Sequence, residues 1–479
     1  MTLTLALVPL DERPACAVLP REIAAVAGAR VLLPPAAHLP RIRTPGDPDA
    51  LARWLRETPC DAAVVALETL GFGGLIASRI LPATVEQVTA RWARLREVGA
   101  PVHAVTLVTR TPDSADSMEE PEYWARHGPA LHRLSAALHR GDGAGPDVPE
   151  EVRHDFLRRR LRNHTLNLAA LGLLADGTLE TLVVGADDTA EWGLATAELR
   201  WLQAWTGWLD GRVTVRPGAD EATATLVARV LAAEVPVRFS VEAAGPLDRV
   251  APYENMPVGQ TARGQIAACG GVCDDGDPEV TLLVHVPDGT GADWAVAPPA
   301  DHARNTAAAA ALAGRAAELI AAGRQVAIAD CAQPNGADPA LVAALGERGL
   351  LHRLAAYAGW NTAGNTLGTA AAHAVAVVAG RRNGTFDAAA HRRLLFRRLV
   401  EDHGYMTRVR GTVRARLGGD PTRHDHVPPG HPAIGEIEAG LNSLRPPGFD
   451  GLAAAGVRLP WNRTFEVDFD IIEEDGACA

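Results

Sequence analysis

Two aspartates, Asp187 and Asp188, follow directly on the apolar run TLVVGA in the segment GADDTAEWG. Ionising two carboxyls side by side is costly, so one of them is pushed toward holding its proton near neutral pH, as a general acid requires. Paired carboxyls are also what cleavage of an acetal needs, one of them protonating the leaving oxygen. Consecutive side chains on a strand point to opposite faces. Such a pair can therefore act together only where the backbone turns at a strand end. The plainer reading is a turn that caps the next helix.

The same chemistry recurs after other apolar runs. LVPL leads into Asp11 and Arg13, VVAL into Glu68, and VAIA into Asp330 with Asn335 following in CAQPNGAD. Trp192 closes the Asp-Asp segment, and AYAGWNTAGNTLG offers Trp360, Asn361 and Asn365. Asparagine amides both donate to and accept from hydroxyls, and an indole gives a sugar ring a flat apolar face. Asn163 and Asn167 share one helix face just ahead of the Asp-Asp strand. Asp220 and Glu221 follow the run VRPGA and are either further strand-end acids or caps at the start of a good helix. Gly71, Gly73 and Gly74 allow close approach of backbone to a ligand, but their spacing fits neither a phosphate loop nor a dinucleotide fingerprint. Ser78 and Arg79 offer a hydroxyl and a guanidinium, or a structural ion pair. Tyr123, Trp124 and His127 make either an aromatic rim or a satellite core.

These residues need a scaffold that gathers strand ends. Nine short apolar runs, from LTLALVPL to QVAIAD, alternate with amphipathic stretches such as DALARWLRE, TVEQVTARWARLREV and EATATLVARVLAA. Continuous apolar strands between such helices indicate an α/β fold whose parallel strands are covered on both faces. The expectation is a (β/α) barrel-like catalytic domain over residues 1–384, with the site at the carboxyl ends of its strands. Two doubly wound α/β sheets are the alternative. A helical and strand subdomain is expected over 385–479, with surface loops at 139–151 and 417–435.

Composition excludes some classes. A formal net charge of -12 argues against a nucleic-acid surface. The amino-terminal apolar run breaks at Pro9 and Asp11, too early for a spanning helix and without the basic lead of a signal peptide. A cytoplasmic chain with no membrane partner is expected. The six cysteines are scattered and lack zinc-site spacing, which reads as reduced, mostly buried thiols.

The segments VPLDERP, ALETLGFGGLIASR, EPEYWARHG, RNHTLN, GADDTAEWG, ADCAQPNGAD, YAGWNTAGNTLG and LPWNRTFEVD together resemble the bacterial family known as domain of unknown function 4127. That family implies no activity. The Asp-Asp and Trp-Asn segments are also similar to those of O-GlcNAcase-type N-acetylhexosaminidases, where the substrate's acetamido group is the nucleophile. This resemblance implies that Asp187 orients and polarises the amide and that Asp188 is the acid/base. The expected function is thus a glycoside hydrolase acting on a small carbohydrate substrate without a cofactor. One alternative is a Mg- or Mn-dependent hydrolase or isomerase of a sugar or sugar phosphate, its metal held by Asp11, Glu68, Asp187, Asp188 and Asp330. Another is a non-catalytic carbohydrate-binding protein.

Overall fold

The computed structural model describes residues 2–474 except 144, 210, 234, 275, 301–304 and 419–425, so part of the 417–435 loop lies outside the described residues. The chain forms two compact units. One comprises Met1–Ala24, Ala29–Val230 and Tyr253–Met256, and the other Ala25–Gly28, Leu231–Pro252 and Pro257–Ala479.

The first unit is built on six parallel strands: β1 (Thr4–Val8), β2 (Arg30–Leu32), β3 (Ala62–Ala66), β4 (Val102–Val108), β5 (Thr181–Ala186) and β6 (Val213–Pro217), in the order β2-β1-β3-β4-β5-β6. Every residue of β3, β4 and β5 is buried, so helices cover both faces of the sheet. The helices start where the sequence provides caps. Asp47 accepts from the backbone N–H of Asp49 and Ala50 ahead of Pro48–Glu57, and Thr84 forms a reciprocal box with Gln87 ahead of Val85–Trp92. Their apolar faces close over the sheet in a core that includes Leu51, Leu55, Val65, Trp92, Leu166 and Leu182.

The second unit holds five parallel strands: β7 (Val237–Ala243), β8 (Gly271–Cys273), β9 (Val280–His285), β10 (Gln325–Asp330) and β11 (Ala356–Ala358), in the order β11-β10-β9-β7-β8. An antiparallel pair, β12 (Leu452–Arg458) and β13 (Asp468–Glu473), follows near the end. Residues of the 385–479 segment join this unit's core, where Phe396, Tyr405, Ile437 and Phe469 pack with Leu283, Val326 and Leu345.

The α/β class and all nine apolar runs are as expected. The short β8 and β11 were not anticipated, because three residues give periodicity nothing to register. Within 385–479, helix runs from Ala388 to Leu417 and widens into π-helix over Val400–Val409. Among the described residues, no helix is long and apolar enough to cross a membrane. All five described cysteines are free thiols, with Cys16, Cys269 and Cys331 buried.

Candidate functional site

In the first unit, charged side chains collect at the carboxyl ends of β1, β3, β4, β5 and β6. The backbone after β1 turns sharply enough for Arg13 to fold back on its own loop. Its Nε and Nη2 donate to Asp11 Oδ2 at 3.0 and 2.7 Å. The same guanidinium meets Asp220, beyond β6, through two bonds of 3.2 and 2.7 Å. All three side chains are buried. A bidentate guanidinium is well matched to this geometry. Asp220 and Glu221, at the start of the helix Ala222–Ala232, are also ion-paired. Asp220 is held by Arg13, and Glu221, fully buried, pairs with Arg216.

Beyond β5, Asp187 and Asp188 diverge. Asp188 takes a left-handed backbone conformation, φ 46°, which aspartate tolerates better than most residues. Arg79 binds Asp187 and also reaches Glu119 and Glu120 at 3.2 Å each. Arg110, which follows β4, meets Glu119 at 3.1 Å, Glu120 at 3.0 Å and Asp188 at 3.4 Å. Two guanidinium groups thus face four carboxyls, an excess of negative charge that favours a retained proton. The Asp188 carboxyl is raised to about 7, first by its removal from bulk water and then by Asp187, with Arg110 opposing. Its side chain is still 32% exposed, against 13% for Asp187. Asp188 is therefore the most accessible carboxyl of the four.

Glu68 lies behind this cluster. Its Oε1 accepts from the backbone N–H of Leu107 at 2.8 Å and from Thr106 Oγ1 at 3.1 Å. Its Oε2 is buried with no hydrogen-bond partner among the described residues. Burial raises the carboxyl to about 7 against these bonds, and Asp187 adds to the rise. Asn167 supports the arrangement, its amide donating to Thr106 Oγ1 and to the Leu107 carbonyl at 3.0 and 3.1 Å. Asn163 instead donates to the carbonyl of Ser78, beside Arg79.

Other residues of this unit singled out in the sequence have partners within the chain. Gly73 and Gly74 admit another stretch of this chain. A Cβ on Gly73, at φ 87°, would fall 2.7 Å from the Gly46 carbonyl oxygen, and one on Gly74 would fall 2.9 Å from Pro40. Trp124 lies in a satellite core with Phe156 and Leu131, so the aromatic-rim reading is set aside. Trp192 packs on His139, with ring centroids 5.1 Å apart, and lies under Arg140.

The second unit gathers polar groups after β9, β10 and β11. Asp330 Oδ2 accepts from the Asp338 backbone N–H at 2.7 Å and from the Tyr357 hydroxyl at 3.1 Å. Asp338 in turn caps Pro339–Glu347 and lies 2.9 Å from His285 Nε2. Burial raises Asp330 to about 6, with His285 opposing. Asn335 and Asn361 both have positive φ, 62° and 54°, and the Asn335 backbone N–H donates to the Asn361 carbonyl at 2.8 Å. Asn335 Nδ2 is tied to Asp293, and the Asn365 amide donates to Thr362 Oγ1. Trp360 is buried. Its indole N–H donates to Thr369, and Arg398 lies over its ring, 5.8 Å from the centroid. The flat sugar platform expected of Trp360 is thus occupied within its own unit. From the π-helix, Asp402 accepts the Gly359 N–H at 2.8 Å and pairs with Arg398.

Sequence reasoning missed Arg110, Glu119, Glu120, Thr106, His285, Asp338 and Asp402. For Arg110 and His285 the clue was present, since each sits at a strand end in VTLVTR and LLVH. Glu119, Glu120 and Asp402 come from a loop and a helix that carry no such mark.

The fold and these clusters define a two-unit, parallel-sheet α/β protein with buried charged networks at its strand ends. Residues 5–470 match the family described as "Protein of unknown function (DUF4127)", and the chain belongs to that family, as the quoted segments suggested. No curated protein and no solved structure matches it.

Proposed function

We propose that the protein is a glycoside hydrolase for N-acetylhexosaminides, with Asp188 as general acid/base and Asp187 orienting the acetamido group. One observation carries the reading: Asp188 is an accessible carboxyl in an otherwise buried cluster, while its neighbour Asp187 is fixed by Arg79. An accessible, proton-holding acid next to a carboxyl held in place by an arginine suits the division of labour that substrate-assisted hydrolysis requires. Asp188 would protonate the leaving oxygen and later take a proton from water. Glu68, buried behind Asp187, would tune the charge of the pair.

A metal-free reaction fits the charge pattern better than a Mg- or Mn-dependent one. Asp11 and Asp220 lie close enough, with Cys16, to hold an ion, yet Arg13 already bridges the two carboxylates. Asp187 is likewise paired with Arg79.

We further infer that each sheet is an open, doubly wound layer. The order β2-β1-β3-β4-β5-β6 and its counterpart β8-β7-β9-β10-β11 support this, since both reverse direction beside the first strand of their unit.

Incubation with nitrophenyl N-acetylhexosaminides in the presence of a chelator tests the function. Turnover is expected, and Asp188→Asn should lower it by about 10²- to 10⁴-fold. Absence of turnover across gluco and galacto substrates, or an unaffected Asp188→Asn variant, overturns the proposal.

A further inference from the structure

Three tryptophans stand out from the surface of the first unit. Trp201, Trp205 and Trp208 are 55%, 61% and 65% exposed. Trp201 lies on the helix Leu194–Ala204, Trp205 is its C-cap, and Trp208 follows in the next turn. Steps of four and three residues keep helical side chains on one face. The other face of this helix is sealed, since Leu199 and Leu202 join the core over the sheet.

The helix Glu150–Ala175 extends the patch. Its Arg160 pairs with Glu198, and its His164 ring centroid lies 5.8 Å from that of Trp201. The two contacts advance together along both helices, so the helices run parallel and Leu168 comes level with Trp205. Leu168 is 39% exposed, and Leu161, two turns earlier on the same stripe, is 68% exposed. Open positions lie among these large side chains. A Cβ added at Gly172 or at Gly207 would meet nothing. Bulky residues beside open positions give the relief that lets one helix layer seat another.

We propose that this face is the contact surface of a homodimer, in which the two helices meet those of a second copy about a twofold axis. The area supports that occupant. At ~250 Å² per tryptophan, the exposed fractions of the three side chains amount to about 450 Å². That is more than half of the roughly 800 Å² that each partner gives to a stable interface, and the two leucines add to it. Tryptophans are also the residues that anchor such contacts. In a twofold pair the same surface serves both copies, so the indoles of one can seat over the open glycines of the other. A lipid surface fits less well, because a net charge of -12 opposes an anionic bilayer. A polysaccharide also fits less well. Leu161, Leu168 and Gly172 beside the indoles offer sugar hydroxyls no side-chain hydrogen bond.

Sedimentation velocity of the full chain across the micromolar range tests the proposal. The wild type is expected to sediment as a dimer. Trp205→Glu and Trp208→Glu change exposed positions, and each is expected to weaken the dimer by about 30-fold or more. Leu161→Glu, on the other helix, should weaken it by a separate route if either tryptophan variant fails to fold. Hydrogen exchange over 161–172 and 201–208 should be slower in the wild-type dimer than in the Trp205→Glu protein. A wild type that stays monomeric overturns the proposal, including one that binds vesicles or a soluble polysaccharide through these tryptophans. A dimer that all three variants leave intact overturns it equally. Neither result bears on the hydrolase reading, which turnover of the nitrophenyl substrates decides.

Discussion

Asp187 and Asp188 are adjacent in sequence, yet each answers to a different arginine. Arg79 holds the first, while Arg110 approaches the second at 3.4 Å. The left-handed backbone at Asp188 produces this split by turning the second carboxyl away from its predecessor. The two carboxyls still belong to one charged cluster, because Arg79 and Arg110 both bind Glu119 and Glu120.

The split has a consequence in pH. Asp188 must be protonated to act as an acid, and its carboxyl is raised to about 7 by burial and by Asp187. On the hydrolase reading, kcat/KM should fall tenfold per pH unit above about pH 7 as that proton leaves. Arg110→Gln removes the opposing cation, so the limb should move to higher pH. A profile measured on both proteins checks this, and a limb that stays in place in Arg110→Gln removes Asp188 as its origin.

Glu68 makes a prediction about stability. Its folded carboxyl is raised from 4.5 to about 7 by burial. The folded state therefore holds a proton that the unfolded chain has released. The associated stability is present below about pH 4.5 and is lost as pH rises through 7, by up to about 3 kcal/mol. Glu68→Gln should keep the Leu107 and Thr106 bonds and lose that pH dependence. The difference in Tm between variant and wild type should grow from pH 5 to pH 8 in the variant's favour. Parallel Tm curves would mean that the carboxyl titrates normally.

The strand framework was readable because buried parallel strands need long apolar runs, and all nine such runs are strands. The strand-end acids were readable for the same reason, since a polar residue ending an apolar run stands out. The counter-charges were readable only in part, since Arg79 was named as one half of an ion pair but its partners were not. Arg79 comes from a helix, Glu119 and Glu120 from a loop, and Asp220 meets Arg13 across 207 residues of sequence. Trp360 shows the opposite error: its type suggested a binding platform, while burial and its bond to Thr369 make it part of the packing.

Trp360 is accordingly expected to matter for folding. Trp360→Ala removes a buried indole and its hydrogen bond, a loss of about 3–5 kcal/mol. Trp360→Phe keeps most of the packing and should recover more than half of that. Chemical denaturation measures both. A Trp360→Ala protein of wild-type stability would restore the platform reading.

The Arg13 bridge offers the sharpest separation of the metal and metal-free readings. Asp11 and Asp220 share one guanidinium, and all three side chains are buried. Arg13→Met leaves two buried carboxylates facing each other, at a cost of about 3–5 kcal/mol. Adding Asp220→Asn should return part of that stability, because the repulsion it relieves exists only once the guanidinium is gone. The single variant should also acquire what the wild type lacks, a vacant acidic pocket beside Cys16. Millimolar Mn²⁺ is therefore expected to raise the Tm of Arg13→Met by several degrees and to leave the wild type and the double variant unchanged. If Mn²⁺ stabilises the wild type to the same extent, the guanidinium does not occupy the cation's place, and the metal-dependent chemistry considered for these acids becomes the better account.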